Sequence, residues 1–211
     1  MYLIPGMACD GRLLQYLRKH LEFETLEFLE PEPNETLEHY ASRMAQGIDT
    51  SAPFYVGGVS FGGMVATAIH QQFPALGLVY ISSAKVRREL PPWLRVYRWI
   101  PIQRWLGPRM LRRLWPRSPL PRAGEHKALM AAMRRDINLT LFKWSMDRAA
   151  CMSNTQLPTR WIHVHGTRDL LLPGMFIRGA IKIKGGDHGM VMAKAEEIAG
   201  WVREWMGEKT P

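Results

Sequence analysis

The stretch that decides the fold is Phe54-Tyr55-Val56-Gly57-Gly58-Val59-Ser60-Phe61-Gly62-Gly63, followed by Met64-Val65-Ala66-Thr67-Ala68-Ile69 and stopped at Pro74. The residues before Ser60 read as a short buried strand, and those from Phe61 to Phe73 as a helix. A serine therefore stands at the corner between the two. Gly58 and Gly62 flank it two residues away on either side, removing Cβ atoms where strand and helix nearly collide. The helix start also turns its positive dipole end toward the serine hydroxyl.

Gly58-Val59-Ser60-Phe61-Gly62 fits G-x-S-x-G, a pattern that arises often by chance and gains meaning from a strand before it and a helix after it. That context favours a catalytic serine over the alternative, a glycine-rich strand–helix turn in a non-catalytic α/β protein. Support comes from two other loops. Gly166-Thr167-Arg168-Asp169 directly follows an apolar run, Trp161–His165, and Gly185-Gly186-Asp187-His188-Gly189 follows another, about Ala180–Lys184. A serine nucleophile needs a base, and the base needs a carboxylate to fix its tautomer. Ser60, His188 and Asp169 supply all three, each at the carboxyl end of a different strand, the edge where open α/β sheets place ligands.

Working outward, apolar runs alternate with helical patterns, as in a parallel sheet. Strand one is Tyr2–Ile4, with Asp10 capping a helix over Gly11–His20. Strand two is Phe23–Leu29, rich in Glu and ended by Pro31 and Pro33, so an edge strand. A helix follows at Thr36–Gly47, and strand four is Leu76–Ile81. In the last helix, Val191–Met206, residues Ile198, Trp201, Val202 and Trp205 recur at helical spacing and face the sheet.

With these residues on the page, the chain resembles the α/β-hydrolase superfamily. The likeness is carried by Gly58-Val59-Ser60-Phe61-Gly62, by His165-Gly166-Thr167-Arg168-Asp169 with Pro173 nearby, and by Gly186-Asp187-His188-Gly189. It covers residues 1–84 and about 158–211. The family's sheet typically has eight strands; here six are readable, as though the first two were missing. The resemblance implies an α/β fold with a mostly parallel sheet in the order 2-1-3-4-5-6. It also implies an oxyanion hole made by the backbone N–H groups of Phe61 and Met7. The loop holding Met7 departs from the family's common His-Gly, reading Ile4-Pro5-Gly6-Met7.

Residues 85–150 read differently. They hold 16 Lys/Arg against 4 Asp/Glu, while the rest of the chain holds 12 against 15, so the net charge of +9 belongs to one segment. Five of the eight tryptophans lie there: Trp93, Trp99, Trp105, Trp115 and Trp144. From Pro91 to Trp115 apolar residues alternate with arginines, cut by Pro101, Pro108 and Pro116, and a second helical stretch spans Glu125–Met146. The segment is expected to be an all-helical cap inserted after strand four, leaving 1–84 and 151–211 as the core. Its arginine–tryptophan stripe reads as cap core with a solvated basic face, as a mouth for an anionic substrate, or as a contact for an acidic membrane surface. A nucleic-acid binder is not expected to confine its basicity in this way.

Other residues have weaker claims. Asp187 is a rival acid for His188, and Cys9 a rival nucleophile more simply read as packing. His163 and His165 share one face of strand five, a spacing open to a metal; lacking a third ligand, they read as hydrogen-bonded groups. His20, His39, His70 and His126 read as surface or packing residues. Two cysteines, Cys9 and Cys151, make no disulfide framework or zinc pattern, and no signal peptide or run of about 18–20 apolar residues is seen. A cytoplasmic location is expected.

The sequence therefore predicts a serine hydrolase that cleaves a small-molecule carboxylic ester or thioester through an acyl-enzyme, without a cofactor. Its alternatives are a weakly catalytic ligand-binding protein on the same fold, or acyl transfer, carbon–carbon or amide hydrolysis by the same three residues. Oligomeric state is not readable.

Overall fold

The computed structural model describes residues 1–97, 99 and 126–207. The residues between them, including Trp105, Trp115 and the three prolines read as breaks, lie outside the described residues. Six strands form one parallel sheet: β1 (Tyr2–Ile4), β2 (Glu24–Thr25), β3 (Tyr55–Val59), β4 (Gly77–Ile81), β5 (Trp161–Gly166) and β6 (Ile181–Ile183). Their order is β2-β1-β3-β4-β5-β6, as expected from the sequence. The chain winds outward one way from β1 to β2, then returns past β1 to β3. That reversal puts the loops after β1 and β3 side by side.

Alternation along the strands feeds two cores. Ile4, Val56, Leu78 and Tyr80 face α1 (Leu37–Met44) and α2 (Phe61–Gln72), where Tyr40, Met44, Val65 and Ile69 are buried. Leu3, Val79, Ile81, Ile162 and Val164 face the other way, onto Leu13, Leu14 and Leu17 and the C-terminal helices. Helix α2 lies deepest: every residue from Phe61 to Ile69 is buried.

Several elements differ from their sequence reading. The helix expected over Gly11–His20 is two 3-10 turns, Gly11–Leu14 and Leu17–Lys19, which between them bury Leu13, Leu14 and Leu17. Asp10 does cap the first, its Oδ1 accepting from Arg12 N–H at 3.0 Å. Strand two shortens to two residues. Beyond them the chain leaves the edge, so that Leu26 and Phe28 pack on the α1–α2 side and the Tyr40 hydroxyl donates to the Leu29 carbonyl at 2.8 Å. The last helix is broken at Lys194 into short α6 (Met190–Ala193) and α7 (Ala195–Met206). Met190, Val191 and Met192 are all buried, which three consecutive residues on one continuous amphipathic helix would not be.

Between β4 and β5 lie α3 (Pro92–Tyr97), α4 (Lys127–Arg135) and α5 (Leu139–Ala150). The single helical stretch expected there is split because the Asn138 side chain caps α5, accepting from Leu141 N–H at 3.0 Å. The two pieces serve opposite faces. Met130 and Met133 of α4 join the Leu13 side, while Leu141, Trp144 and Ala149 of α5 join the α1–α2 side.

Main chain meets main chain closely where α2 meets β1. A Cβ placed on Gly62 would lie 2.3 Å from the Pro5 carbonyl oxygen and 2.4 Å from that of Ile4; one on Gly58 would lie 2.5 Å from the Gly62 backbone. All of these neighbours are main chain and have no side-chain freedom to yield. Gly62→Ala should therefore cost about 1–3 kcal/mol or more in urea unfolding. Gly200→Ala, on α7 with nothing within 4 Å of its added methyl, should instead stabilise by about 0.5–1 kcal/mol. Equal effects at the two positions would refute this account of the turn.

Candidate functional site

Ser60 sits at the end of β3 with φ 53° and ψ −119°, a conformation that non-glycine residues rarely adopt. The surroundings determine it fully. Ser60 N–H donates to the Ile81 carbonyl at 2.9 Å, and the Ser60 carbonyl accepts from Gly63 N–H at 3.1 Å and from the Ser83 hydroxyl at 2.6 Å. Ser83 was not singled out in the sequence. It follows the end of β4, and only the pairing of β4 with β3 brings it beneath the turn.

The loops after β5 and β6 are tied to each other. Thr167 N–H donates to the Ile183 carbonyl at 3.0 Å, Arg168 N–H to that of Gly186 at 2.8 Å, and Gly185 N–H to the Thr167 hydroxyl at 2.9 Å. A Cβ on Gly166 would lie 2.3 Å from the Gly186 carbonyl oxygen, so the two backbones touch there. This zipper sets Asp169 beside His188.

The three residues meet in one line. His188 Nδ1 lies 2.8 Å from Asp169 Oδ2, and His188 Nε2 lies 2.9 Å from Ser60 Oγ. An ionised carboxylate only accepts, so Nδ1 carries the hydrogen and Nε2 is left to accept from the serine hydroxyl. The other Asp169 oxygen, Oδ1, accepts from the N–H groups of Leu171 and Leu172 at 2.9 and 2.8 Å. Burial alone would raise the Asp169 pKa, but the facing His188 and these hydrogen bonds outweigh it and hold the carboxyl below its ordinary range.

The rival residues are placed elsewhere. Asp187 turns its carboxylate to Gly189 N–H, 2.9 Å away, bracing the loop. Cys9 is half-buried against the Leu13 side of the core. His163 and His165 bond to each other, His163 Nε2 lying 3.2 Å from His165 Nδ1. Among the described residues, Glu32, Glu35 and His39 are the group that comes near a metal-binding set, and Arg43 already donates to Glu35 at 2.9 Å.

The loop after β1 lies against the serine turn through the Gly62 contact. Cys9 N–H bonds the Gly6 carbonyl at 3.0 Å, closing a turn with Met7 and Ala8 at its centre and Ala8 at φ 63°. This is the type II pattern, whose own hydrogen bond leaves the Met7 N–H outside it. Phe61, the first residue of α2, likewise has no intrahelical acceptor for its N–H. Its ring lies 6.0 Å from Phe28 and 5.9 Å from Trp144 of α5, centroid to centroid, so an aromatic cluster begins one residue past Ser60. A cavity of about 100 Å³ between α1, α2 and α5 lies away from this point, lined in part by Leu37, Thr67 and Cys151.

No protein-family model matches the sequence, and no curated protein matches it either. Solved structures do. A thermophilic esterase from Thermogutta terrifontis superposes with a TM-score of 0.73 at 18% identity, covering 98% of this chain and 88% of that one. MenH from S. aureus gives 0.74 at 13% identity, covering 98% and 93%. The enol-lactonase from Burkholderia xenovorans LB400 gives 0.69 at 17% identity, covering 98% and 91%. At such identities the likeness is one of architecture. What these structures share with the chain is the α/β-hydrolase fold, and it is the fold of this protein.

Proposed function

We propose that the protein is a serine hydrolase acting on a small-molecule carboxylic ester or thioester. The observation that carries this reading is the unbroken line from Asp169 through His188 to Ser60, at 2.8 and 2.9 Å, on a serine held at positive φ beneath a helix start. Two of the structural neighbours are named as an esterase and an enol-lactonase, names that fit ester cleavage.

In the proposed reaction Ser60 Oγ attacks the acyl carbonyl carbon while His188 Nε2 takes the hydroxyl proton. Asp169 keeps the imidazole in the tautomer that can accept it and balances the charge that results. The carbonyl oxygen, now negative, is held by the N–H groups of Phe61 and Met7, aided by the α2 dipole. The imidazolium returns its proton to the departing alcohol or thiol, the carbon–oxygen or carbon–sulfur bond breaks, and an acyl-serine remains. Water then repeats the sequence: His188 removes its proton, the carbonyl is attacked, and the acid leaves with Ser60 restored.

The rings of Phe28, Phe61 and Trp144 favour an apolar acyl group. In this reading residues 85–150 serve as a cap over a core of 1–84 and 151–211, supported by Trp144 packing at Phe61. The excess of Lys/Arg in the cap suits an anionic feature elsewhere on the substrate.

A fluorophosphonate probe should label Ser60, and Ser60→Ala should lose labelling together with about a thousandfold or more of p-nitrophenyl ester hydrolysis while staying folded. Folded wild-type protein that neither labels nor shows an acyl-enzyme burst would sink the proposal. Asp169→Asn should lower kcat by about 10³–10⁴-fold, the imidazole being free to adopt the wrong tautomer. The pH profile follows from the depressed Asp169 pKa. Its carboxyl stays ionised throughout the range in which histidines titrate, so kcat/KM should fall toward acid with unit slope, as a single group is protonated. A slope of two above pH ~4 would show that Asp169 titrates there too.

A further inference from the structure

Behind Asp169 runs a second line of buried polar groups. Lys85 Nζ lies 2.9 Å from Glu89 Oε1, 2.8 Å from His163 Nδ1 and 2.9 Å from the Arg178 carbonyl oxygen; both members of the Lys85–Glu89 pair are 1% exposed. These three acceptors use all three ammonium protons. His163 Nε2 meets His165 Nδ1 at 3.2 Å, and His165 Nε2 lies 2.8 Å from the Leu172 carbonyl oxygen. Leu172 is the residue whose own N–H holds Asp169 Oδ1.

The direction of donation is forced. The Leu172 carbonyl only accepts, so His165 carries its hydrogen on Nε2 and accepts at Nδ1. His163 must then donate from Nε2, which leaves its Nδ1 to accept from Lys85. Every group in the series is satisfied with both rings neutral. Burial favours that state, pushing His163 well down and His165 down, with Lys85 adding to the effect at His163 and Asp169 opposing it at His165. The charged or titratable groups facing His165 are Asp169, His188, Lys182 and His163.

We infer that His165, oriented by His163 and the Lys85–Glu89 pair, is a positioning residue for Asp169. It fixes the Leu172 carbonyl, and with it the backbone that grips Oδ1, while its ring stands 3.5 Å from Oδ2, the oxygen that bonds His188. The arrangement has a clear electrostatic advantage. A cation bonded directly to Asp169 would compete with His188 for the carboxylate; here the Lys85 ammonium lies two imidazoles away along this line, and the ring that stands beside Oδ2 is neutral.

This inference rests on the hydrolase reading for its kinetic consequence, but not for its structural one. Three variants separate the roles. His165→Gln keeps an N–H donor near the Nε2 position, whereas His165→Asn is too short to reach Leu172 and His165→Leu has no donor. With p-nitrophenyl ester, the Asn and Leu variants should lose about 10–100-fold in kcat at nearly unchanged KM, and Gln should restore most of it. Proton NMR should show the low-field His188 Nδ1–H resonance in wild type and His165→Gln, and its broadening or loss in His165→Asn or His165→Leu, whichever folds. Nitrogen-15 shifts of wild-type protein should report neutral Nε2–H tautomers for His163 and His165 at about pH 7–8, above the ordinary imidazole range from which burial displaces both downward. A folded Asn or Leu variant with wild-type kcat and an intact resonance would overturn the inference, as would an Nδ1–H tautomer at either ring. If wild-type protein neither labels nor turns over, the hydrolase reading fails, and the NMR comparison still decides the positioning role.

Discussion

Backbone contact between the start of α2 and the end of β1, made through Gly62 and Gly58, is the constraint from which the rest of the site follows. Because nothing but main chain separates them, the turn between β3 and α2 is tight enough to drive Ser60 to positive φ and lift its hydroxyl clear of the sheet. The same contact brings the loop with Met7 alongside. Strain of this kind, of order 1–3 kcal/mol, persists only where neighbours over-determine it. Here Ile81, Gly63 and Ser83 hold the Ser60 backbone from three directions.

The second half of the site is built on a different principle. Asp169 and His188 stand on relaxed loops that are precise because they are zipped to each other and backed by donors. Oδ1 is held by two amides and Oδ2 is left for the imidazole. The line from Lys85 through His163 and His165 extends this backing into the core. A buried ion pair such as Lys85–Glu89 is weak evidence for stability, since desolvation offsets the attraction. Its value here is better sought in the orientation it imposes on the two rings.

Much of this was legible in the sequence, for identifiable reasons. The parallel sheet followed from the alternation of apolar runs and helical patterns, and its strand order from the likeness to a known superfamily. The convergence of Ser60, Asp169 and His188 followed from each standing just after an apolar run. Local periodicity failed where tertiary demands overrode it: at Gly11–Lys19, where 3-10 turns bury three leucines, and at Lys194, where the chain changes direction after a short helix that buries Met190, Val191 and Met192. Ser83 and Lys85 escaped notice because Ser60 and His163 come beside them only when β4 pairs with β3 and β5. His163 and His165 were visible as a same-face pair, but their outer partners, Lys85 and Leu172, come from elsewhere in the chain.

The hydrogen bond between Ser60 and His188 spans 128 positions of chain. A ribosome working from the amino terminus releases the strained serine corner long before it makes the base, and β4 must wait for β5 across the whole basic segment. Until the residues beyond β6 are made, the growing polypeptide carries the Ser60 hydroxyl without the imidazole that faces it. Under the proposed reaction, competence therefore waits on synthesis of the chain through His188, and a copy that ends before it is inert.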